Sequence, residues 1–298
     1  MRIKNLIIAA GLISLASCDK INSPYRQEII VQDFCATGID DSIPNKKVLV
    51  EDYTGHTCGY CPDAGIYLND TLKEIYQHCI VVVSVHAGFF AGTCPTAISC
   101  PHPSPPLPSD AFTTDFNTSV GSAWNTFFAI TGNPKGMIDR IDYPNSTHSK
   151  TYPAWAPAIA SQLELPAKAK LKISNTYNST NRNLSVSVES EFTESISGEY
   201  KLQVVITEDS LYDWQQWYFH TPQYVPDYLH RHVLRDGLNT TWGETLVTGN
   251  TSSGTTITKN YNYVINNDWI DSHCNVVAFI YDAATYEVLQ AEEAAVIE

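Results

Sequence analysis

Apolar positions along the chain fall into three successive textures. The first texture is a run from Leu6 to Leu15, broken by Ser14 and preceded by Met1-Arg2-Ile3-Lys4 and Asn5. It is too short to span a bilayer, which takes roughly 20 apolar residues. A charged start, a short apolar stretch and small residues predict a secretory signal over 1–17. The second texture begins at Lys47–Tyr53, where Val48-Leu49-Val50 suits a strand buried on both faces, and returns at Ile80–Val85. Between them Leu68, Leu72, Ile75 and Tyr76 make the apolar stripe of a helix from about Cys58 to His78. Strand, helix, strand implies a parallel pair closed by a right-handed crossover. A stretch over 89–110, rich in Pro, Ser and Cys, reads as a surface insertion. Pattern then resumes with a helix over Val120–Ile130, a strand over Lys135–Arg140 and a helix over Tyr152–Leu165.

The third texture starts after Pro166. Lys168–Ile173, Asn183–Val188 and Lys201–Ile206 alternate with period two, and Thr255–Val264, Asn275–Tyr281 and Glu287–Ala294 fit further strands. Short alternating strands parted by Asn, Ser, Thr and Gly predict an all-β, immunoglobulin-like sandwich over 167–298. Tyr212–Thr248 reads as a long aromatic loop interrupting it.

Composition and cysteine usage add an address. Leu15-Ala16-Ser17-Cys18 matches the lipobox of bacterial lipoproteins, so Cys18 is expected to be acylated, anchoring the chain to a membrane. Residues 18–43 then read as a lipidated tether. The formal charge is −14, and loss of Arg2 and Lys4 takes it to −16, which argues against nucleic acid or anionic headgroups as partners. Tyr 17, Trp 6 and Phe 10 suffice for packed cores. Asn-x-Ser/Thr sequons, as at Asn117 and Asn239, are read as incidental. Beyond Cys18, seven cysteines enter an oxidising compartment. Cys94 and Cys100 bracket a short loop and are candidates for a local disulfide. Cys35, Cys79 and Cys274 form an odd set whose pairing spacing does not fix.

The chemistry centres on Cys58-Gly59-Tyr60-Cys61. A strand, a Cys-x-x-Cys at a helix start, a second strand and a later Gly-x-Pro before a strand is the order of a thioredoxin-like domain, here over 44–166. Cys58 at a helix N-terminus would be favoured as thiolate, the nucleophile of disulfide exchange, and Cys61 would resolve the mixed disulfide. Asp52, six residues earlier, matches the place of the buried carboxylate that takes the resolving cysteine's proton in that family, and reads equally as a solvated acid at a strand end. Pro134 matches the cis-proline position. His56 and His86 lie where strand ends face such a site and could relay a proton. Zinc held by Cys58, Cys61, His56 and His86 is disfavoured, because an oxidising compartment favours the disulfide; no metal or cofactor is implied. Thr57 stands where thioredoxins keep Trp, and Pro62 follows the motif directly. In the second half His230 and His232 would share a face if extended, with Trp214 and Trp217 upstream. They read either as a ligand surface or as packing.

Val48 through Cys58, Ser84-Val85-His86-Ala87-Gly88, Gly132-Asn133-Pro134-Lys135-Gly136, His230 through Arg235 and Trp242-Gly243-Glu244 together resemble the Omp28-related outer-membrane lipoproteins of Bacteroidota. The resemblance implies a thioredoxin-like domain followed by a β-sandwich, lipid-anchored at the outer membrane, the side it faces left open. Three functions remain in play. One is an envelope thiol–disulfide oxidoreductase acting on protein thiol or disulfide clients through Cys58 and Cys61. Another is a binding or adhesive lipoprotein in which that disulfide is structural. The third is an accessory subunit among outer-membrane partner proteins.

Overall fold

The computed structural model describes residues 46–297. The leader over 1–17, Cys18, Cys35 and the tether over 18–43 lie outside the described residues. Strands β1 (Val48–Thr54) and β2 (Ile80–His86) pair in parallel, Val48 opposite Ile80 and Thr54 opposite His86. Their unbroken apolar runs are explained by two cores. Val48, Val50 and Val82 pack with Leu68, Leu72, Trp155 and Ile159. Leu49, Val81 and Val83 face the other way, toward Trp124 and Phe128.

The connection is a helix in three pieces: α1 (Cys61–Ile66), a wider π-type stretch (Tyr67–Leu72) and α2 (Lys73–Tyr76). It begins at Cys61, not Cys58. Pro62 takes the first turn, where a missing N–H is tolerated, and Cys58 falls in the turn before it. The loop that follows β2 carries one short helical turn, Phe89–Ala91, and is closed by a Cys94–Cys100 disulfide. Helix α3 (Ser119–Phe127) starts where the Thr118 hydroxyl accepts the Gly121 N–H at 2.9 Å. Strand β3 (Lys135–Ile138) adds antiparallel to β1, and α4 (Trp155–Leu163) follows.

The strand expected to reach Arg140 stops at Ile138 because Asp139 and Arg140 turn inward with φ of 46° and 54°. Asp139 accepts the Leu49 N–H at 2.8 Å and pairs with Lys46 at 3.0 Å. Lys46, just ahead of β1, also donates to the carbonyls of Val288 and Leu289. Arg140 donates twice to buried Glu51, at 2.9 and 2.7 Å.

After Pro166 come β4 (Ala169–Asn178), β5 (Asn183–Phe192), β6 (Ile196–Glu208), β7 (Leu211–Gln216), β8 (Tyr224–His230), β9 (Val233–Gly237), β10 (Glu244–Thr251), β11 (Thr256–Val264), β12 (Cys274–Asp282) and β13 (Val288–Ala295). One layer is the sheet β11-β5-β4, whose Leu184, Val186 and Val188 pack with Val204, Ile206, Val276 and Ala278 of the other layer. That other layer runs β13-β12-β6-β9-β2-β1-β3, with β10 also on β6. The large sheet therefore takes strands from both sides of Pro166. Its seam is β9, antiparallel to β6 and bridged to β2 where the Ser84 N–H donates to His232 O at 2.8 Å.

The segment expected as one long loop, Tyr212–Thr248, is mostly strand. β7 and β8 form a separate two-stranded hairpin, β9 enters the large sheet, and β10 lies along β6. Gln215, Gln216 and His230 are buried polar residues, and the ladder slips between Asp213 and Gln215, so no apolar alternation marks the hairpin. Among the described residues no helix is long and apolar enough to cross a membrane.

Candidate functional site

Cys58 and Cys61 are joined by a disulfide, with Cα atoms 5.4 Å apart. They are 2% and 4% exposed, whereas Tyr60 between them is 52% exposed. Two segments enclose the turn. From the insertion, Phe90 O accepts the Thr57 N–H at 3.1 Å and the Thr57 hydroxyl at 2.8 Å. From the hairpin, the Gln216 N–H donates to His56 O at 2.8 Å and the Tyr218 N–H to Gly59 O at 2.9 Å. The Gln215 amide donates to Cys58 O at 3.0 Å. Any Cβ at Gly59 would stand 2.4 Å from the Tyr218 ring, so only glycine admits this approach. Tyr60 packs edge-on against Tyr218, ring centroids 4.9 Å apart.

A cavity of about 30 Å³ lies beside Cys61, lined also by Asp52, His86, Tyr228, His230 and Arg231. Asp52 is buried on β1 opposite Ser84 and Gly136, and its Oδ1 lacks a hydrogen-bond partner. Burial pushes it up to about 7. His86 ends β2 and His230 ends β8, their rings 5.5 Å apart, with Phe116 at 5.0 and 5.1 Å. His86 Nδ1 and His230 Nε2 also lack partners. Burial holds His86 well below the usual imidazole range, helped by nearby His230, His56 and Arg235. Burial lowers His230 to about 4 against the upward pull of Asp213. His56 donates from Nε2 to Gly92 O at 2.9 Å, and burial lowers it too. All three imidazoles are therefore neutral at pH 7.

The Asn133–Pro134 bond is cis, and Pro134 leads directly into β3, the neighbour of β1. His230 and His232 part company. His232 has φ of 53° and turns to Asn69 Oδ1 at 3.1 Å and Asp209 Oδ2 at 3.3 Å, and it does not line the cavity beside Cys61. Trp214 packs on Phe112, ring centroids 5.8 Å apart, and Trp217 donates to Asp63 at 3.1 Å while lining a cavity of about 280 Å³ with Tyr228 and Arg231. Cys79 is disulfide-bonded, and Cys274 is a free, buried thiol. Among the described residues no cluster of three or more His, Cys, Asp or Glu is arranged to hold a metal, and the motif sulfurs are spent on each other. Gln215, Phe116 and Tyr228 were not foreseen. Phe116 follows the insertion with no pattern to mark it, and the other two depend on the hairpin. A separate cavity of about 360 Å³ opens within the insertion between the Cys94–Cys100 disulfide, several prolines, Leu107 and Phe112.

The model of the family described as "Outer membrane protein Omp28" matches residues 121–298. Among solved structures, HBP35 of Porphyromonas gingivalis is similar with a TM-score of 0.58 and 14% identity, over 84% of this chain and 75% of that one. A domain of the outer membrane lipoprotein Omp28 from Porphyromonas gingivalis matches at 20% identity, over 44% of this chain and 88% of that one, with a TM-score of 0.31. No curated protein matches the chain.

Proposed function

The chain belongs to the Omp28 family of outer membrane proteins, and we propose that it is a thiol–disulfide oxidoreductase of the cell envelope, working through Cys58 and Cys61. In this reading lipid on Cys18 holds it at the membrane, 44–166 form a thioredoxin-like half, and 167–298 form the sandwich half. The observation that carries the reading is Asp52, a buried carboxyl with an unpaired oxygen in the cavity that Cys61 lines. Burying such a group costs stability, and a structural disulfide has no use for it. A carboxyl near 7 can take a proton from a thiol and give it up again at neutral pH.

With the pair reduced, Cys58 thiolate attacks a client disulfide, and one client sulfur leaves as thiolate. Cys61 then loses its proton to Asp52 and attacks Cys58 Sγ, and the Cys58–client bond breaks. The client gains two electrons and the pair is left oxidised, the form present here. Donor thiols reduce it again. His56, hydrogen-bonded to Gly92 and next to the turn, keeps the loop in place.

A second reading takes Cys58–Cys61 as structural in a binding protein or accessory subunit. The enclosure of both sulfurs by Phe90 and Gln215–Tyr218 favours it, and the 360 Å³ cavity of the insertion would be the place for an apolar ligand. The reduction potential of the pair, with alkylation of Cys58 against pH, separates the two. A potential below roughly −300 mV with an inert thiol marks a structural disulfide. Exchange activity abolished by Cys58→Ser supports the oxidoreductase.

A further inference from the structure

Three titratable side chains meet beside Cys61 from separate parts of the chain: Asp52 from β1, His86 from the end of β2, His230 from the end of β8. Each is buried, and each leaves a polar atom without a hydrogen-bond partner, Oδ1, Nδ1 and Nε2 in turn. The same molecule shows how it treats an imidazole used only for structure. His148 is also buried, yet its two ring nitrogens reach Asn145 O at 2.5 Å and Phe128 O at 2.7 Å. The pair at Cys61 is built differently. A buried polar group left unsatisfied calls for a reason beyond packing.

We propose that His86 and His230 form a relay that takes from Asp52 the proton it receives from Cys61 and returns it on re-reduction, so that the exchange site is completed by the C-terminal half of the chain. The proposal rests on the oxidoreductase reading. When Cys61 attacks Cys58 Sγ, its proton passes to Asp52 as the Cys58–client bond breaks and the electron pair leaves with the client sulfur. Asp52 must then be emptied before the next turnover. A neutral imidazole takes a proton at its bare nitrogen and releases one from the other, and the cavity between these groups has the volume of one or two waters. The proton therefore has a route from Asp52 across the His86–His230 pair. Re-reduction runs it backward.

The charged and titratable groups facing this unit are few. His56 and Arg235 face His86, Asp213 and His56 face His230, and the Tyr228 phenol faces Asp52, with Arg231 at the cavity edge. His56 is held to Gly92 through Nε2, and its Nδ1 is likewise without a partner. Burial keeps both relay imidazoles neutral at working pH, the state the route needs.

The test uses the intact protein in glutathione buffers between pH 5.5 and 8.5, reading the rate at which Cys58–Cys61 reaches redox equilibrium at each pH. Wild type should show a break near neutrality. His230→Gln and His86→Gln should each move it by about one pH unit, tenfold in proton concentration, leaving the alkylation profile of Cys58 unmoved. A break at the same pH in wild type and both variants overturns the relay. Imidazole 15N shifts of the wild-type protein give a readout independent of variant folding. His86 and His230 should change tautomer or titration between the oxidised and reduced forms, and superimposable titrations overturn the proposal. The oxidoreductase reading fails in its own way, with no reduced fraction at any glutathione ratio or pH, and it takes the relay down with it.

Discussion

Glu51 and Asp52 are neighbours on β1 with opposite solutions to burial. Glu51 receives two bonds from Arg140, whose guanidinium lies 4.9 to 5.5 Å from the rings of Trp124, Phe128, Phe279 and Tyr281. Removing one partner strands a buried charge, so Arg140→Met should cost about 3–5 kcal/mol in urea unfolding. A loss within 1 kcal/mol would refute that account. Asp52 has no such partner. Its proton is held up to about pH 7 in the folded state, whereas an unfolded aspartate releases it near 3.8. Between those values the folded chain binds more protons, so stability is greatest below the window and falls as pH rises through it. Asp139, raised to about 6, adds to the same fall but cancels when variant and wild type are compared. Asp52→Asn should thus leave stability nearly unchanged at pH 4 and raise it at pH 8. The ceiling is about 4 kcal/mol at 1.36 kcal/mol per pKa unit, read from denaturant midpoints at the two pH values. Asp52 could be singled out from sequence because its spacing to Cys58 is local. The meeting of His86 with His230 could not, since it depends on a hairpin that no local pattern announces.

At the scale of elements, the β7–β8 hairpin decides whether Cys58 can be reached. Its main chain bonds to His56 and Gly59, and its Trp217 and Tyr218 side chains grip Asp63 and Tyr60. A hydrogen bond and an aromatic contact are each worth on the order of 1 kcal/mol. Replacing both Trp217 and Tyr218 by Ala should therefore speed dithiothreitol reduction of Cys58–Cys61 by about tenfold or more, followed by alkylation and mass spectrometry. An unchanged rate would show that the hairpin does not limit access. Elements with a clean period were readable in advance: β1 and β2 from their valine runs, α3 and α4 from helical spacing, β4 to β6 from alternation. The hairpin was not, because Gln215, Gln216 and His230 point inward where a pattern reader expects apolar residues. The buried Gln215 amide is satisfied by the Cys-x-x-Cys turn itself, through the Cys58 carbonyl more than 150 residues away in sequence.

At the scale of the whole molecule, the described chain after Pro166 is strands with one short helical turn, but the large sheet runs across that point. Leu49, Val81, Val83, Trp124 and Met137 share one core with Val205, Leu234, Val277 and Phe279. Residues 46–166 expressed alone should expose that face and lack a cooperative urea transition and a native near-UV spectrum. A sharp transition in the fragment would show two independent folding units instead. The polarity of this shared sheet has a further consequence, which begins at Lys46. There the described chain is pinned to Asp139 and to the carbonyls of β13. From that point β1 runs its seven residues, about 20 Å at some 3.3 Å each, before the chain reaches the Cys-x-x-Cys turn. Any attachment upstream therefore joins the sheet at the pole opposite the disulfide. The disulfide and the point where the described chain enters the sheet thus sit at opposite ends of β1, about a strand's length apart.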